Sequence, residues 1–471
     1  MDSMTSGQHV HFLGIGGIGM SALALVLLKQ GCKVTGSDLD VHKNTCALVT
    51  AAGGEIWLDS EDTIYTHKKM PDLVVYSTDI GLTSRAMCFF QDRNVFCVHR
   101  SDLLAALMRE KKGIAVTGSH GKTTTSALLA HLLVAAGLDP LAIIGGIVPS
   151  FKSNVWLGEG DYLVAEADES DRSFEKLHSL YGVITNVDRE HLNVYTSDEI
   201  VAEAFGFFAG NVDVAGMLFL NADDAGIQRL ETQGVFYGTP VKFFSTKNSP
   251  KAHYLACDAR KNSSGWDFAF FDVNKNKKYE NLSVSLYGEH MLSDVIAALS
   301  VCAHMDIDID RLREGLASFT SVDRRFTLRK KINGASIIDD YGHHPTEIAA
   351  TLKTAIAQVA PDKKIHVLFQ PHRYTRTQLL WDDFVRVLSD VPENVFLVLT
   401  DIFAAFEAEI PGVSSKLLVQ DIAQNMGDRC VYVPESEFKL WAKKYVHGQV
   451  QEGDMVLFLG AGKIHAIIEE L

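Results

Sequence analysis

Twice in this chain a short apolar run ends in a glycine-rich turn that opens directly into a helical stretch. The first is His9–Leu13, followed by Gly14-Ile15-Gly16-Gly17-Ile18-Gly19 and a helix read from Ile18 to Gln30. The second is Ile114–Thr117, followed by Gly118-Ser119-His120-Gly121-Lys122-Thr123 and a helix read from Lys122 to Ala136. A strand that turns sharply into a helix is the repeating unit of parallel α/β sheets, so both turns predict that architecture. Further strands are read at Lys33–Gly36, Leu73–Tyr76, Tyr162–Glu166 and Gly182–Asn186. Residues 240–285 have a different texture. Aromatic and polar residues alternate around Phe243–Phe244 and Trp266–Phe271, which predicts antiparallel strands before a helix at Met291–Ala303. A third α/β block has strands at Ser336–Asp339, Ile365–Phe369, Val395–Leu399 and Met455–Leu459.

The chain has 471 residues, which at ~150 residues per domain suggests about three domains. The expected division is 1–110, 111–321 and 322–471. Hydrophobic residues make up 47% and charged residues 22%, an ordinary globular balance that excludes a disordered or fibrous chain. The longest apolar run, Ala22–Leu28, falls far short of the ~20 residues of a membrane span. No charged leader precedes an apolar core at the N-terminus, so a cytoplasmic protein is expected. The seven cysteines are dispersed and form no C-x-x-C pair, which fits reduced thiols better than a disulfide framework or a zinc site. Net charge is −15. That argues against a nucleic-acid partner, which needs a basic footprint. The small basic clusters Arg109–Lys112 and Arg329–Lys331 read as solvated surface.

The first turn fits G-x-G-x-x-G in its required strand–helix context. Glycines let the backbone approach a diphosphate, and the helix N-terminus supplies N–H donors and a positive dipole end. Asp38, at the end of the second strand, is placed where an acidic side chain meets a ribose. The pattern does not separate NAD from another nucleotide diphosphate such as a UDP-sugar. The second turn supplies backbone donors, a lysine for the outer phosphates of ATP and a hydroxyl for Mg²⁺. It is a variant of the phosphate-binding loop, because strict spacing would put glycine where Val116 stands. Magnesium needs hard oxygen ligands. Glu166 ends the strand Tyr162–Glu166, within the acidic run Glu166-Ala167-Asp168-Glu169-Ser170-Asp171, and His191 follows the next strand. Asp168, Glu169 and Asp171 are equally well read as a solvated acidic loop.

Ordered segments along the chain resemble the Mur ligases, the ATP-dependent amide-bond-forming enzymes of peptidoglycan synthesis. They are HFLGIGGIGMSALA, VTGSHGKTTTSALL, VAEADESDRSF, ITNVDREHL, RRF at 324–326, DDYGHHPTEI, FQPHRYTRT and FLGAGKI. Within the family they look most like the branch that joins L-alanine to UDP-N-acetylmuramate. The resemblance implies three α/β domains: a Rossmann-like UDP-binding domain, a central P-loop-type ATPase domain with a mostly parallel sheet, and a C-terminal Rossmann-like domain. Gly14, Gly16, Gly17 and Gly19, with Asp38, would hold the UDP-sugar. Gly118, Ser119, His120, Gly121, Lys122, Thr123 and Thr124 would hold ATP, together with His290, Asp294, Arg325 and Asp340. Thr123, Glu166 and His191 would surround Mg²⁺. Arg325 would reach the γ-phosphate, and His343 and His344 would face the nucleotide. His372, Arg373 and Arg376 would meet the amino acid, since a guanidinium pairs bidentately with an α-carboxylate. Lys122, His191, Arg325 and His344 would be the catalytic set, with His191, His344 or His372 taking the proton from the amine. Nucleotide and amino-acid groups then fall on different domains, which predicts closure to within ~3–3.5 Å for reaction. A monomer or weak homodimer is expected, without membrane or nucleic-acid partners.

Two departures from the family pattern stand out. Where the family has G-x-H-N-x-x-N-A, this chain has Gly288-Glu289-His290-Met291-Leu292-Ser293-Asp294-Val295. The residue expected at adenine is then a carboxylate, which accepts but does not donate. Several relatives use a carbamylated lysine near a second metal. No lysine lies between Lys176 and Lys242, so none is expected here. An NAD-dependent oxidoreductase would account for the first turn but leave the lysine loop unexplained. A nucleotide-binding regulator would keep Lys122 and need no amino-acid pocket. A ligase attaching a whole tripeptide to the same UDP-sugar would differ around residues 370–376.

Overall fold

The computed structural model describes residues 6–59, 70–188, 194–262, 264–405 and 407–471. Two compact units are present, Met1–Val322 and Asp323–Leu471. The first contains two sheets. One is a five-stranded parallel sheet in the order Glu55–Leu58, Lys33–Asp38, His9–Leu13, Leu73–Tyr76, Phe96–His99. His9–Leu13 is central and buried along its whole length, as a strand covered on both faces is, and its two histidines each meet Thr35 Oγ1 at 2.9 Å. The second strand runs to Asp38, two residues further than expected, because Ser37 pairs with Leu13 and Asp38 with Leu58.

The other sheet of this unit has ten strands. Lys112–Thr117 lies inside it, flanked by Ser179–Ile184 and Tyr162–Glu166, and both pairings are parallel. The antiparallel region is narrower than expected. Val241–Ser245 pairs parallel with Val212–Asn221, and only Tyr254–Lys261, Trp266–Asp272 and Lys277–Val284 form an antiparallel meander. An antiparallel hairpin, Leu141–Val148 and Ser153–Leu157, closes the opposite edge. The helix Glu289–His304 packs on the strands from Val212–Asn221 to Trp266–Asp272, with Val295–Ala303 buried without interruption. No helix among the described residues is long and apolar enough to cross a membrane.

The helix Ile18–Lys29 explains why the two sheets form one unit. Met20 through Leu27 are all buried, and a helix apolar on every side must be sandwiched. One side packs on its own sheet and the other on the hairpin Leu141–Leu157. Asn154, wholly buried on that hairpin, reaches across and donates from Nδ2 to Ile18 O and to Ser21 Oγ (3.0 Å).

The second unit is a six-stranded sheet in the order Thr327–Ile332, Ala335–Asp340, Met455–Leu459, Ile365–Phe369, Val395–Leu399, Cys430–Tyr432. All neighbours are parallel except the first pair. Thr327–Ile332 carries the basic cluster read as solvated surface. It is an exposed-to-half-buried edge strand whose Arg329 pairs with Asp339 at 2.6 Å.

Asn154→Ala should lower the unfolding free energy of the first unit by about 1–3 kcal/mol, the usual result of deleting a buried donor and orphaning its acceptors. Urea titration followed by fluorescence checks this.

Candidate active site

Both glycine turns lie at carboxyl ends of parallel strands, where α/β sheets form their sites. In the first turn, Gly14 takes φ +76, and the N–H groups of Gly14 and Ile15 donate to Ser37 O at 2.8 and 3.0 Å. Gly17 N donates to Gly14 O at 3.0 Å. Gly16 N donates to Asp38 Oδ2 at 2.9 Å. A Cβ at Gly16 would stand 2.7 Å from Cys46 Sγ and 2.9 Å from Asp38 Oδ2, so this glycine is a packing requirement. Asp38 is buried, and its Oδ1 accepts from Asp40 N (3.0 Å) and Lys43 Nζ (2.8 Å). The residue expected at a ribose therefore ties the turn to its own strand end. The donors this leaves toward a diphosphate are the first-turn N–H groups of the helix, around Ile18 to Met20. A Cβ at Gly19 would touch Arg100 Nη1 at 3.7 Å, an ordinary van der Waals contact.

The second turn is laced to the segment after Ser179–Ile184. His120 N donates to Asn186 Oδ1 at 2.8 Å, and Asn186 Nδ2 donates back to His120 O at 2.9 Å. Thr185 Oγ1 donates to the same carbonyl at 2.6 Å, and Asp188 N donates to Ser119 Oγ at 2.9 Å. Gly118 sits at φ +130, and any side chain there would collide with Thr185 and Asn186. Gly121, at φ +83, caps the helix Lys122–Ala135, and its missing side chain leaves room for the Asp294 carboxylate. Thr185, Asn186 and Asp188 thus shape the loop, although sequence reading gave them no role. Their signal was the strand-end motif that contains them.

Lys122 Nζ donates to Gly118 O at 2.7 Å and to Ser119 O at 3.2 Å, and it lies 2.9 Å from Glu169 Oε1. Thr123 and Thr124 are buried on the first turn of the helix. Glu166 Oε2 accepts from Gly145 N at 3.0 Å. The neighbouring Gly146 would place a Cβ 3.3 Å from the Thr123 methyl. Thr123 and Glu166 therefore border one stretch of chain and present the hard oxygens Mg²⁺ requires. His191 lies outside the described residues. His290 is exposed on the first turn of its helix, one turn before the buried Asp294. Asp168 is paired with Arg100 at 2.9 Å. Burial would raise its carboxyl, but Arg100, Lys122 and Ser170 together outweigh that and hold it at about 2.

The second unit gathers another set. Asp340 is buried and accepts from Phe326 N, Gly342 N (both 2.8 Å) and Thr351 Oγ1 (3.1 Å). Burial raises its carboxyl despite the opposing charge of Arg325. Asp340 is thus the post around which the turn at Arg324–Phe326 is built. Arg325 lies over the Tyr341 ring at 5.3 Å and 3.6 Å from Glu347. His344, expected in the catalytic set, caps the helix Pro345–Gln358 by accepting from Thr346 N at 3.3 Å. His372 stacks on Phe403 with ring centroids 5.5 Å apart, and it meets Arg376 Nη1 at 3.3 Å. His343 stands edge-on to His372 at 5.6 Å. Arg373 takes φ +71, its N–H held by Phe403 O at 2.8 Å. Burial first, then His343, Arg376, Arg373 and Arg324, push His372 down to about 2. The structure therefore brings His372, Arg373 and Arg376 together, with His343 beside them.

Three family models match successive segments of the chain. Residues 9–112 match the Mur ligase family catalytic domain, 116–302 the Mur ligase middle domain, and 324–462 the Mur ligase glutamate ligase domain. A UDP-N-acetylmuramate–L-alanine ligase of Trichlorobacter lovleyi is 38% identical over 97% of this chain and 96% of its own length. One of Aquifex aeolicus is 37% identical over 98% and 96%. Among solved structures, the UDP-N-acetylmuramate-alanine ligase of Thermotoga maritima superposes with a TM-score of 0.80 at 27% identity, covering 98% of this chain and 97% of that one. The chain belongs to the Mur ligase family, with its three α/β domains and mostly parallel sheets.

Asp294→Asn should lower the KM for ATP about three- to tenfold. It removes a negative charge packed against the phosphate loop, and a factor of ten corresponds to ~1.4 kcal/mol. Initial-rate kinetics at varied ATP would show it.

Proposed function

We propose that this chain is an ATP-dependent ligase that joins L-alanine to the lactoyl carboxylate of UDP-N-acetylmuramate, in the synthesis of peptidoglycan precursors. The observation that carries this reading is likeness along almost the whole chain, at 37–38% identity, to proteins bearing that activity in their names. The two glycine turns support it, since only the second carries a lysine. A lysine-free turn suits a bound diphosphate that is not to be transferred, whereas a lysine suits phosphates between which a bond must break.

In the first step a carboxylate oxygen of the sugar attacks the γ-phosphorus of ATP, the bond to the β-phosphate oxygen breaks, and ADP leaves. In the second, the alanine nitrogen attacks the resulting acyl phosphate, loses a proton, and expels phosphate through a tetrahedral intermediate. Such chemistry rests on positioning and on neutralising negative charge. Lys122 binds the outer phosphates, with the first-turn N–H groups of its helix around them. Arg325 is the guanidinium we assign to the γ-phosphate. Thr123 and Glu166, with His191, would hold Mg²⁺, which when bound neutralises charge on the phosphate oxygens. Arg373 and Arg376 take the alanine carboxylate. His372, neutral throughout the physiological range, orients Arg376 and is a poor proton acceptor. His344 is engaged as a helix cap. The enzyme acts in the cytoplasm, where ATP and UDP-sugars are made, as a monomer or weak homodimer.

Phosphate release in the presence of ATP, Mg²⁺ and UDP-N-acetylmuramate tests the reading. It should require the sugar nucleotide and be fastest with L-alanine among L-alanine, glycine, L-serine and a muramyl tripeptide side chain. Release with the tripeptide alone would reassign the acceptor, and release with none would overturn the ligase. His372→Asn should raise the KM for L-alanine while leaving the acid limb of the pH–rate profile in place. A histidine already neutral above about pH 2 contributes no ionisation between pH 5 and 9. An acid limb that vanishes in the variant would contradict the assignment.

A further inference from the structure

The acidic run after Tyr162–Glu166 contains two glutamates with different surroundings. Glu166 faces Gly145. Glu169 is turned the other way, its side chain 2% exposed, with its two oxygens 2.9 and 2.8 Å from Lys122 Nζ. An ammonium has three N–H donors. Lys122 directs donors at Gly118 O, Ser119 O and this carboxylate. The two carbonyls belong to the loop itself, so a phosphate oxygen arriving at Lys122 competes with the Glu169 carboxylate. The backbone of Glu169 is anchored, because its carbonyl accepts from the buried Tyr195 hydroxyl at 2.7 Å and from Arg172 N at 3.0 Å. Asp168 beside it is held by Arg100. Glu169 is therefore a fixed negative charge set against the nucleotide lysine.

We propose that Glu169 is a positioning residue for Lys122: it holds the ammonium inside the phosphate loop and yields it to the ATP phosphates. This rests on the assignment of Lys122 to ATP. The consequence is a charge competition. A buried carboxylate both attracts its ammonium and opposes an arriving triphosphate. The arrangement keeps the lysine placed in the loop, at the expense of nucleotide affinity.

The test is ATP binding by calorimetry, with adenosine as a phosphate-free probe in competition, in the full chain. Glu169→Gln keeps the side-chain volume and an acceptor oxygen but removes the charge. It should lower the Kd for ATP about tenfold and leave the Kd for adenosine unchanged. On a Lys122→Met background the same substitution should no longer tighten ATP, because the effect passes through the lysine. A residue that merely supported the fold would shift both ligands alike and would not depend on Lys122. Weaker ATP binding in Glu169→Gln, equal shifts for adenosine, or tightening that survives on the Lys122→Met background would overturn the proposal. Should Glu169→Gln not fold by circular dichroism, Glu169→Asp withdraws the charge by one methylene and should tighten ATP about twofold; an unchanged Kd there would also overturn it. Wild-type protein that binds no ATP would instead refute the nucleotide assignment, a result separable from the others because it appears before any substitution is made.

Discussion

Gly118 has no room for a side chain between its own loop and the strand end at Thr185 and Asn186. That close approach is the constraint on which the geometry of this loop depends. It lets Asn186 and Thr185 clamp both sides of the His120 peptide, so the loop lies across two neighbouring parallel strands rather than over one. The helix Lys122–Ala135 then starts at a fixed point, and Lys122 and Thr123 are aimed by backbone geometry before any ligand arrives. Preorganisation of this kind is what phosphoryl transfer demands of a protein, since charge placement supplies most of the rate.

The parts of the fold most legible in the sequence were those with the strongest physical signature. His9–Leu13, Ile365–Phe369 and Met455–Leu459 are buried along their whole length, and a strand covered on both faces reads as an apolar run. Edge elements carry no such run. Thr327–Ile332 is part exposed and bears three basic residues, so its pattern imitates a solvated surface. Val241–Ser245 has the aromatic texture of its antiparallel neighbours but pairs parallel, because strand direction depends on connection path rather than on composition.

At the site, the two glycine turns were legible because turn geometry restricts those positions to few residue types, and Lys122, Glu166, Arg373 and Arg376 stand on the turn and strand-end segments where they were expected. The tasks of Asp38, Glu169 and His344 were not. Each has a polar group whose partner is chosen by tertiary packing: Asp38 by Gly16 N, Glu169 by Lys122, His344 by Thr346 N. Glu169 is the sharpest case. Within a run of acids it reads as solvated, yet it is 1% exposed.

The central claim is that the sugar carboxylate is activated by direct attack on the γ-phosphorus. UDP-N-acetylmuramate labelled with ¹⁸O in its lactoyl carboxylate, turned over with ATP and L-alanine, tests it most directly by mass analysis of the phosphate released. One labelled oxygen should pass to phosphate in every turnover, because the bond that breaks last joins the acyl carbon to an oxygen that was originally the sugar's. Phosphate free of label would mean that ATP is hydrolysed without an acyl phosphate, and it would contradict the account.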